Sequence, residues 1–171
     1  MMEKVLIVSD SHGLTDELQM IKQRHHVSHM IHCGDSELSI DDQAMEGFIK
    51  VAGNCDRDSR YENEQIVDIA GFKFFITHGH LFKVKRNLLP LSYRAAEVGA
   101  NIICFGHSHV AGAEKMNQQI YINPGSIQMP RGRTEKSYAI LEWIDENDIC
   151  VKFFKTTGES IDDLSTTFRL M

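Results

Sequence analysis

The sequence predicts an α/β fold that becomes β-rich toward its end, and three patterns lead to this class. Short aliphatic runs such as residues 5–8 are typical of strands buried on both faces of a parallel sheet. Segments with helix-capping residues separate some of these runs. In the last third, apolar residues alternate or run together without helical spacing, which favours strands. We therefore expect one domain over residues 1–171.

The first half of the chain contains three predicted strands and one predicted helix. Residues 5–8 form the first strand, and Asp16 caps a helix that reaches about His25. The runs HMIHCGD and FIKVAGNCD each predict another short strand. The first segment leads into Asp35 and the second into Asn54, so polar groups follow both strands directly.

The second half begins with a predicted β-hairpin. The run QIVDIAGFKFFITHGH indicates two strands joined at Ala70 and Gly71. A helix that starts at Pro90 is expected to end at Gly99. The buried strand IICF follows and terminates in GHSH, and the runs QQIYINPGS, SYAILEWID and DICVKFFKT complete the β-rich last third.

The composition limits the classes of partner. The chain has 171 residues, of which 42% are hydrophobic, and a formal net charge of -6. Such a charge gives no global attraction to polyanions, which weighs against duplex nucleic acid or an anionic membrane as the main partner. No apolar run is long enough to span a bilayer, and the first one is too short for a signal peptide.

The cysteines indicate a reducing environment. They are scattered without CxxC spacing, which is typical neither of a disulfide framework nor of a zinc knuckle. We therefore expect a cytoplasmic protein. The four positions are Cys33, Cys55, Cys104 and Cys150.

Metal-binding side chains follow the predicted strand ends repeatedly. Asp10 and His12 come after the first strand, and His107 and His109 come after IICF. If these segments are extended, side chains two residues apart point the same way and converge. Strand ends of one sheet lie side by side, so distant segments can deliver ligands to a common rim. The predicted set is Asp10, His12, Asp35, Asn54, His78, His107 and His109.

This set is larger than one metal ion needs. Catalytic zinc takes about three protein ligands, so two ions that share one carboxylate would use all seven. Carboxylate, amide and imidazole groups favour manganese, iron, zinc or nickel over copper(I). A buried polar cluster without metal is the unfavourable alternative, because facing carboxylates need a strong positive charge nearby.

Five short motifs carry a resemblance to a known family. The runs DSH, GD, GNCD, THGH and GHSH occur in this order, each at a predicted strand end. Together they resemble the signature of the calcineurin-like metallophosphoesterases, and the spacing is similar to that of the small single-domain prokaryotic phosphodiesterases of the YfcE type. The resemblance covers residues 5 to about 126 and includes NPGS at residues 123–126.

The resemblance implies a fold, a cofactor and a reaction. The fold would be two mixed β-sheets packed face to face and flanked by helices. The cofactor would be two divalent ions, with manganese expected and nickel, zinc or iron as alternatives. A hydroxide between the two ions would attack a small phosphodiester in line. By position, the first ion would take Asp10, His12, Asp35 and His109, and Asp35 would bridge to a second ion held by Asn54, His78 and His107.

The sequence departs from the family pattern at one position. Much of the superfamily has a histidine after the Gly-Asn pair, and here the residue is Cys55. Cysteine is a poor cationic donor, so we expect better turnover of esters with good leaving groups. His80 is the candidate replacement as proton donor, and Cys55 has the alternative of being only a packed side chain.

Three further residues are candidates for substrate binding. Ser126 in NPGS could reach a phosphate, although the loop has the alternative of being a simple turn. Arg131 and Arg133 flank a glycine and could bind a substrate phosphate, although arginines in such a loop are ordinarily solvated.

Two other functions compete with the phosphodiesterase hypothesis. The retromer subunit resembles these enzymes in fold yet serves as a scaffold, but the complete ligand set of this chain favours an enzyme. DNA-repair exonucleases share the motifs, but those relatives carry extra domains that hold DNA. A homodimer through the β-rich end is a further expectation.

Overall fold

A computed structural model describes residues 3–170, which form two β-sheets and two α-helices. The helices are α1 (Asp16–Arg24) and α2 (Leu89–Val98). The strands are β1 (Lys4–Val8), β2 (His29–His32), β3 (Phe48–Lys50), β4 (Glu64–Ile69), β5 (Phe72–Thr77), β6 (Ile102–Cys104), β7 (Gly112–Met116), β8 (Gln119–Asn123), β9 (Ser137–Trp143), β10 (Asp148–Lys155) and β11 (Thr166–Arg169).

The first sheet has six strands in the order β11-β10-β9-β1-β2-β3. Strands β1, β2 and β3 run parallel, whereas β9 pairs antiparallel with β1. Residues 5–8 are completely buried, because alternate side chains enter two different cores. Val5 and Ile7 face the second sheet, and Leu6 and Val8 face the layer that contains α1. The predicted strand with two buried faces is confirmed.

The second sheet has five strands in the order β4-β5-β6-β8-β7. The predicted hairpin joins β4 to β5 through Ala70 and Gly71, both at positive φ. Strands β5, β6 and β8 run parallel. Helix α2 covers the outer face of this sheet with Leu91 and Ala95, and Gly99 ends it in the left-handed conformation.

The two sheets pack face to face over a shared apolar core. Phe74, Ile102 and Ile120 of the second sheet meet Ile7 and Leu141 of the first in this core. The expected α/β fold with two mixed sheets flanked by helices is therefore confirmed. No helix within residues 3–170 combines the length and apolar character needed to cross a bilayer.

The topology decides where functional groups can meet. The carboxyl ends of the parallel strands β1, β2 and β3 share one edge of the first sheet, and those of β5 and β6 share one edge of the second. Contacts between the two edges include a hydrogen bond of 3.1 Å from the His107 amide to Asp10 Oδ2. Loops after the strands of both sheets therefore face one another at one end of the molecule.

Candidate metal centre

The predicted ligands converge, but the backbone conformation differs from the expected one. We expected extended segments at 10–12 and 107–109, whereas Asp10, His12, His107 and His109 have φ values of 54°, 43°, 69° and 61°. Asp35 is also left-handed, with a φ of 59°. Left-handed backbone is strained for such residues and costs about 1–3 kcal/mol each, so it persists only where surrounding contacts enforce it. Tight turns, and not strand pleating, direct these side chains inward.

One group of ligands surrounds Asp10. Its Oδ1 atom lies 3.1 Å from His109 Nε2 and 3.8 Å from His12 Nε2. The three ligand atoms lie within 4.8 Å of one another, as the ligands of one ion do. Asp10 is fully buried, whereas the His12 side chain is 16% exposed. A cation at this position would therefore be open to solvent on the His12 side.

A second group surrounds His78. Its Nε2 atom lies 3.1 Å from Asp35 Oδ2 and 3.1 Å from Asn54 Oδ1. Ligand atoms of Asp35, His78 and His107 lie within 4.8 Å of one another. Asp35 Oδ2 is also 3.9 Å from His12 Nε2, which belongs to the first group. Asp35 thus stands between the two groups, at the position expected for a bridging carboxylate.

Two buried atoms indicate that these groups fit divalent cations. Asp10 Oδ1 and His12 Nε2 are buried and make no hydrogen bond within the described part of the chain. Unpaired buried polar atoms are costly, and a cation would satisfy a carboxylate oxygen and an imidazole lone pair together. The donor set of oxygen and nitrogen atoms suits manganese, zinc, nickel or iron.

Three of the histidines are fixed so that Nε2 faces the site. His78 Nδ1 donates to the Cys33 carbonyl at 2.8 Å, and His109 Nδ1 donates to the Met129 carbonyl at 2.6 Å. His12 Nδ1 donates to Glu37 Oε2 at 2.8 Å. A proton on Nδ1 leaves the lone pair on Nε2, which is the tautomer that binds a metal.

The two carboxylates are also held by their neighbours. Ser9 Oγ donates to Asp10 Oδ2 at 2.6 Å, and the Cys55 amide donates to Asp35 Oδ1 at 2.8 Å. Each carboxylate therefore keeps one oxygen directed at the ligand groups. Asp56 fixes the surrounding turns, because its carboxylate accepts from the amides of Asp35 and Gly53 at 2.8 and 2.7 Å. Sequence reasoning did not assign Ser9, although it directly precedes the predicted ligand Asp10.

His32 is a second support that lies beneath the site. It is fully buried, its Nδ1 accepts from the Gly34 amide at 3.1 Å, and its Nε2 is 2.8 Å from Ser11 Oγ. Because Nδ1 accepts, Nε2 carries the proton and donates to Ser11. His32 thus ties the turn of Asp10 to the turn of Asp35. Burial lowers the pKa of His32 to about 4, so the ring is neutral at pH 7.

Two glycines are required by close packing at the ligands. A Cβ atom on Gly53 would lie 2.1 Å from Asp35 Oδ1, and one on Gly106 would lie 2.5 Å from Asp10 Oδ2. Neither glycine has a positive φ among the described residues. Close backbone approach, and not conformational freedom, therefore explains both.

The pKa values of the ligands reflect their mutual charges. Burial alone would raise the pKa of Asp35, but its hydrogen bond with His78 and the charge of His78 lower it well below the ordinary value. Burial would lower the pKa of His78, but Asp35 and Asp10 raise it. The pKa of His107 falls to about 4 through burial and the charge of His78. Protons and a cation therefore compete for the same acidic pocket.

The two candidate proton donors both lie beside the ligand groups. Cys55 Sγ is within 4.8 Å of ligand atoms of His12 and Asp35. Burial and the charge of Asp35 raise the pKa of Cys55, so the group is a thiol at pH 7. The ring of His80 lies 5.4 Å from that of His78, and burial together with the His78 charge lowers its pKa.

The predicted substrate contacts lie in three different environments. Ser126 is fully buried and its hydroxyl donates to the Asp10 carbonyl at 2.7 Å, so it supports a turn and does not face solvent. Arg133 forms ion pairs with Glu135 and Asp163 at 3.2 and 2.8 Å, which occupy its guanidinium. Arg131 is exposed, and its charge is near enough to His109 to oppose the rise in the His109 pKa. Of the three, only Arg131 is free to meet a substrate within the described structure.

One cavity adjoins the ligand groups, and a second lies on the outer face of the second sheet, in the layer that contains α2. The first, of about 290 Å³, is polar and is lined by Glu37, Ser39, Cys55 and Arg57. The other, of about 330 Å³, has none of the seven predicted ligands in its lining. It reaches Ser108, which lies between His107 and His109 in the sequence, and combines apolar side chains such as Val84 and Phe105 with Glu114 and Asn123.

Comparisons with known proteins identify the family of this chain. The calcineurin-like phosphoesterase superfamily domain matches residues 2–146. The probable metallophosphoesterase YsnB of Bacillus subtilis is 48% identical over 169 residues, covering 97% of this chain and 99% of that protein. The phosphodiesterase YfcE of Escherichia coli is 31% identical over 102 residues, covering 55% of this chain and 52% of that protein.

Solved structures show the same fold. A predicted phosphoesterase from Streptococcus pneumoniae has a TM-score of 0.93 at 35% identity, covering 99% of this chain and 98% of that chain. Vacuolar protein sorting 29 from Cryptosporidium parvum has a TM-score of 0.78 at 15% identity, with 98% of each chain covered, and this likeness concerns the fold alone. From the family match, the YsnB relative and the S. pneumoniae structure, it follows that this chain belongs to the calcineurin-like phosphoesterase superfamily and is a metal-dependent phosphoesterase.

Proposed function

We propose that this enzyme hydrolyses small phosphodiesters with two divalent ions held by the seven converging residues. The observation that carries the proposal is the place of Asp35 between two ligand groups, because one carboxylate shared by two groups is typical of dinuclear sites. Asp10, His12 and His109 would hold one ion, and Asn54, His78 and His107 the other, with Asp35 common to both.

The chain's own residues orient this site before any substrate binds. The carbonyls of Cys33 and Met129 keep Nε2 of His78 and His109 directed inward. Ser9 and the Cys55 amide each hold one carboxylate oxygen and leave the other free. Such preorganisation lowers the reorganisation cost of phosphoryl transfer. When bound, two divalent ions supply an activated water and the positive charge that stabilises the phosphoryl oxygens.

The cavity beside the ligand groups supports a substrate with a polar substituent on the phosphate. It is lined by Glu37, Ser39, Cys55 and Arg57, so we infer that a substituent bound there is polar or hydroxylated. In this proposal, the exposed Arg131 would donate hydrogen bonds to a nonbridging oxygen of the phosphate.

In this proposal, the rate of hydrolysis depends only weakly on protonation of the leaving group by a protein side chain. Cys55 stands where much of the superfamily has histidine, and its raised pKa makes it a weak acid. His80 is the second candidate for protonating the leaving oxygen. If His80 has this role, His80→Ala will slow hydrolysis of a diester with an alkyl leaving group more than that of one with a nitrophenyl leaving group. Equal rates of wild type and variant on the alkyl diester would exclude it.

The decisive experiment is metal add-back to stripped protein. Hydrolysis of bis(p-nitrophenyl) phosphate would be measured with manganese, nickel, zinc or magnesium, alongside Asp35→Asn and the matched control Asp68→Asn, which lies on the exposed face of β4. We expect metal-restored activity in wild type and Asp68→Asn, highest with manganese, and none in Asp35→Asn. Restored activity in Asp35→Asn, or a 1:1 metal stoichiometry in the active enzyme, would refute the dinuclear proposal.

A scaffold function is the second candidate, because the fold is shared with vacuolar protein sorting 29. The seven converging side chains favour the enzyme over this alternative. A folded protein that hydrolyses neither aryl mono- nor diesters with any metal would favour the scaffold. The cytoplasmic setting belongs to the same proposal, and the absence of any disulfide among Cys33, Cys55, Cys104 and Cys150 in the described structure supports it.

A further inference from the structure

A cavity of about 220 Å³ lies on the outer face of the first sheet, far from the metal centre along β1. Lys4 begins β1 and lines this cavity, whereas Asp10 follows the other end of the same strand. Residues at the end of α1, including Arg24 and His25, form a second wall. Phe154 of β10 forms a third, and its ring lies 5.0 Å from that of His25.

The cavity is positively charged in a protein whose net charge is -6. Lys4 and Lys152 share a single carboxylate, Glu142, at 3.4 and 2.5 Å. Arg24 has no carboxylate partner within residues 3–170. Its Nη1 donates instead to the Tyr138 hydroxyl and the Thr156 carbonyl. The cavity therefore contains three positively charged side chains and one carboxylate, in addition to two histidines. The charges of Arg24 and Lys4 add to burial in lowering the pKa of His25.

The cationic groups are held in place by their surroundings. Arg24 is half-buried, and Gly158 packs against its guanidinium so closely that a Cβ there would lie 3.0 Å from Nε. Tyr138 is fully buried, accepts from Arg24 at 3.2 Å and lies 2.7 Å from His25 Nε2. The hydroxyl proton of Tyr138 needs an acceptor, and His25 Nε2 is in reach. The proton of neutral His25 then lies on Nδ1, which has no protein partner in the described structure.

We propose that this cavity is a second binding site, separate from the metal centre, for the phosphoryl group of a small phosphate or phosphomonoester. An arginine without a carboxylate partner, two lysines and an imidazole N–H are the groups that recognise such oxyanions. The ring of Phe154, which lines the cavity and stacks on the buried Tyr138 at 5.6 Å, would face the organic part of a phosphomonoester. This site does not depend on the identity of the metals or on the diester proposal.

The test is a titration followed by amide resonances of the isotopically labelled, magnesium-loaded protein. Inorganic phosphate and glycerol phosphate would be added in separate series up to about 10 mM, the range of a weak specific site. Shifts that saturate at Arg24, His25 and Lys152 would report this site, and shifts at Asp10 and Asn54 would report the metal centre. Tighter binding of glycerol phosphate than of phosphate would identify a phosphomonoester as the ligand, and equal binding would identify the free anion.

Variants that change the charge of the cavity are expected to change the affinity for phosphate in opposite directions. Lys4→Gln combined with Lys152→Gln is expected to weaken binding at least about tenfold. Glu142→Gln removes the one carboxylate and is expected to tighten binding several-fold. Lys115→Gln, on the second sheet, removes one positive charge far from the cavity and is expected to leave the dissociation constant unchanged. Hydrolysis of bis(p-nitrophenyl) phosphate should be the same in all variants, which separates this site from the catalytic one.

Three results would overturn the proposal. The first is small shifts that spread over the whole surface without saturation, which indicates adventitious ion binding only. The second is a Glu142→Gln variant that binds phosphate no better than wild type. The third is a Lys115→Gln variant that loses as much affinity as the double lysine variant, because net charge and not this cavity would then account for binding.

Discussion

Replacing Gly53 with alanine is expected to weaken metal binding without disturbing the fold elsewhere. The new Cβ would lie 2.1 Å from Asp35 Oδ1 and 2.6 Å from the Asp35 amide nitrogen. Contacts below 3.0 Å are essentially absent for real Cβ atoms, so the carboxylate must move by about 1 Å. It cannot rotate freely, because the Cys55 amide holds the same oxygen at 2.8 Å and Asp56 holds the Asp35 amide.

The expected magnitude follows from the tolerance of metal sites. Ligand distances vary by only about 0.2 Å in good sites, so a shift of about 1 Å in the shared carboxylate is large. Loss of a positioning contact typically costs about 10–100-fold in metal affinity. We expect at least this loss for Gly53→Ala, with a decrease of about 1–3 kcal/mol in the free energy of unfolding from overpacking.

The assay is calorimetric titration of manganese into stripped protein, with thermal unfolding of the metal-free protein measured in parallel. Gly112→Ala is the matched control, because its Cβ would meet nothing within 4 Å and neither glycine has a positive φ. Gly112→Ala should bind manganese as wild type does. If Gly53→Ala also binds manganese with wild-type affinity while remaining folded, Asp35 is not the constrained ligand that the structure indicates.

Three other predictions concern single side chains. His32 is buried with a pKa of about 4 against 6.5 in the unfolded chain, so the unfolded state binds more protons between these pH values and stability falls as the pH decreases. The loss of stability due to His32 is about 3 kcal/mol between pH 6.5 and 4. Urea unfolding of metal-free His32→Asn should therefore show a flatter pH dependence of the unfolding free energy over that range. The same pH dependence in wild type and variant would contradict this prediction. Cys55 of the metal-free protein should react slowly with iodoacetamide at pH 7.5 because burial and nearby carboxylates raise its pKa. The alkylation rate, followed by peptide mass spectrometry, should still be rising with pH at about pH 9, whereas rapid alkylation at pH 7.5 would show a thiolate instead. Arg131→Ala should raise the KM for bis(p-nitrophenyl) phosphate several-fold, whereas Arg133→Ala, whose side chain is occupied by two carboxylates, should leave it unchanged; the reverse order would reject the contact proposed for Arg131.

The sequence by itself determined most of the elements, although not the strands β7 and β11, and the chemical types of the ligands. The β4–β5 hairpin followed from Ala70 and Gly71, and the end of α2 followed from Gly99, because turn and cap conformations depend on a few adjacent residues. The burial of residues 5–8 followed from their aliphatic run. Carboxylate, amide and imidazole groups at strand ends are likewise local patterns, so the seven candidate ligands can be identified from the order of residues alone.

Only the tertiary structure decided how these groups meet and what each neighbour does. The i, i+2 reasoning predicted that Asp10 and His12 converge, but their positive φ values are imposed by contacts with the turn of Asp35. The proton on His78 Nδ1 depends on a carbonyl 45 residues away, and Ser126 turned from an expected phosphate contact into a support of Asp10, 116 residues away. Such contacts join segments that are distant along the chain, so no local pattern encodes them. The sequence specifies which groups are present, and the packing of the two sheets determines which atom of each group faces the site.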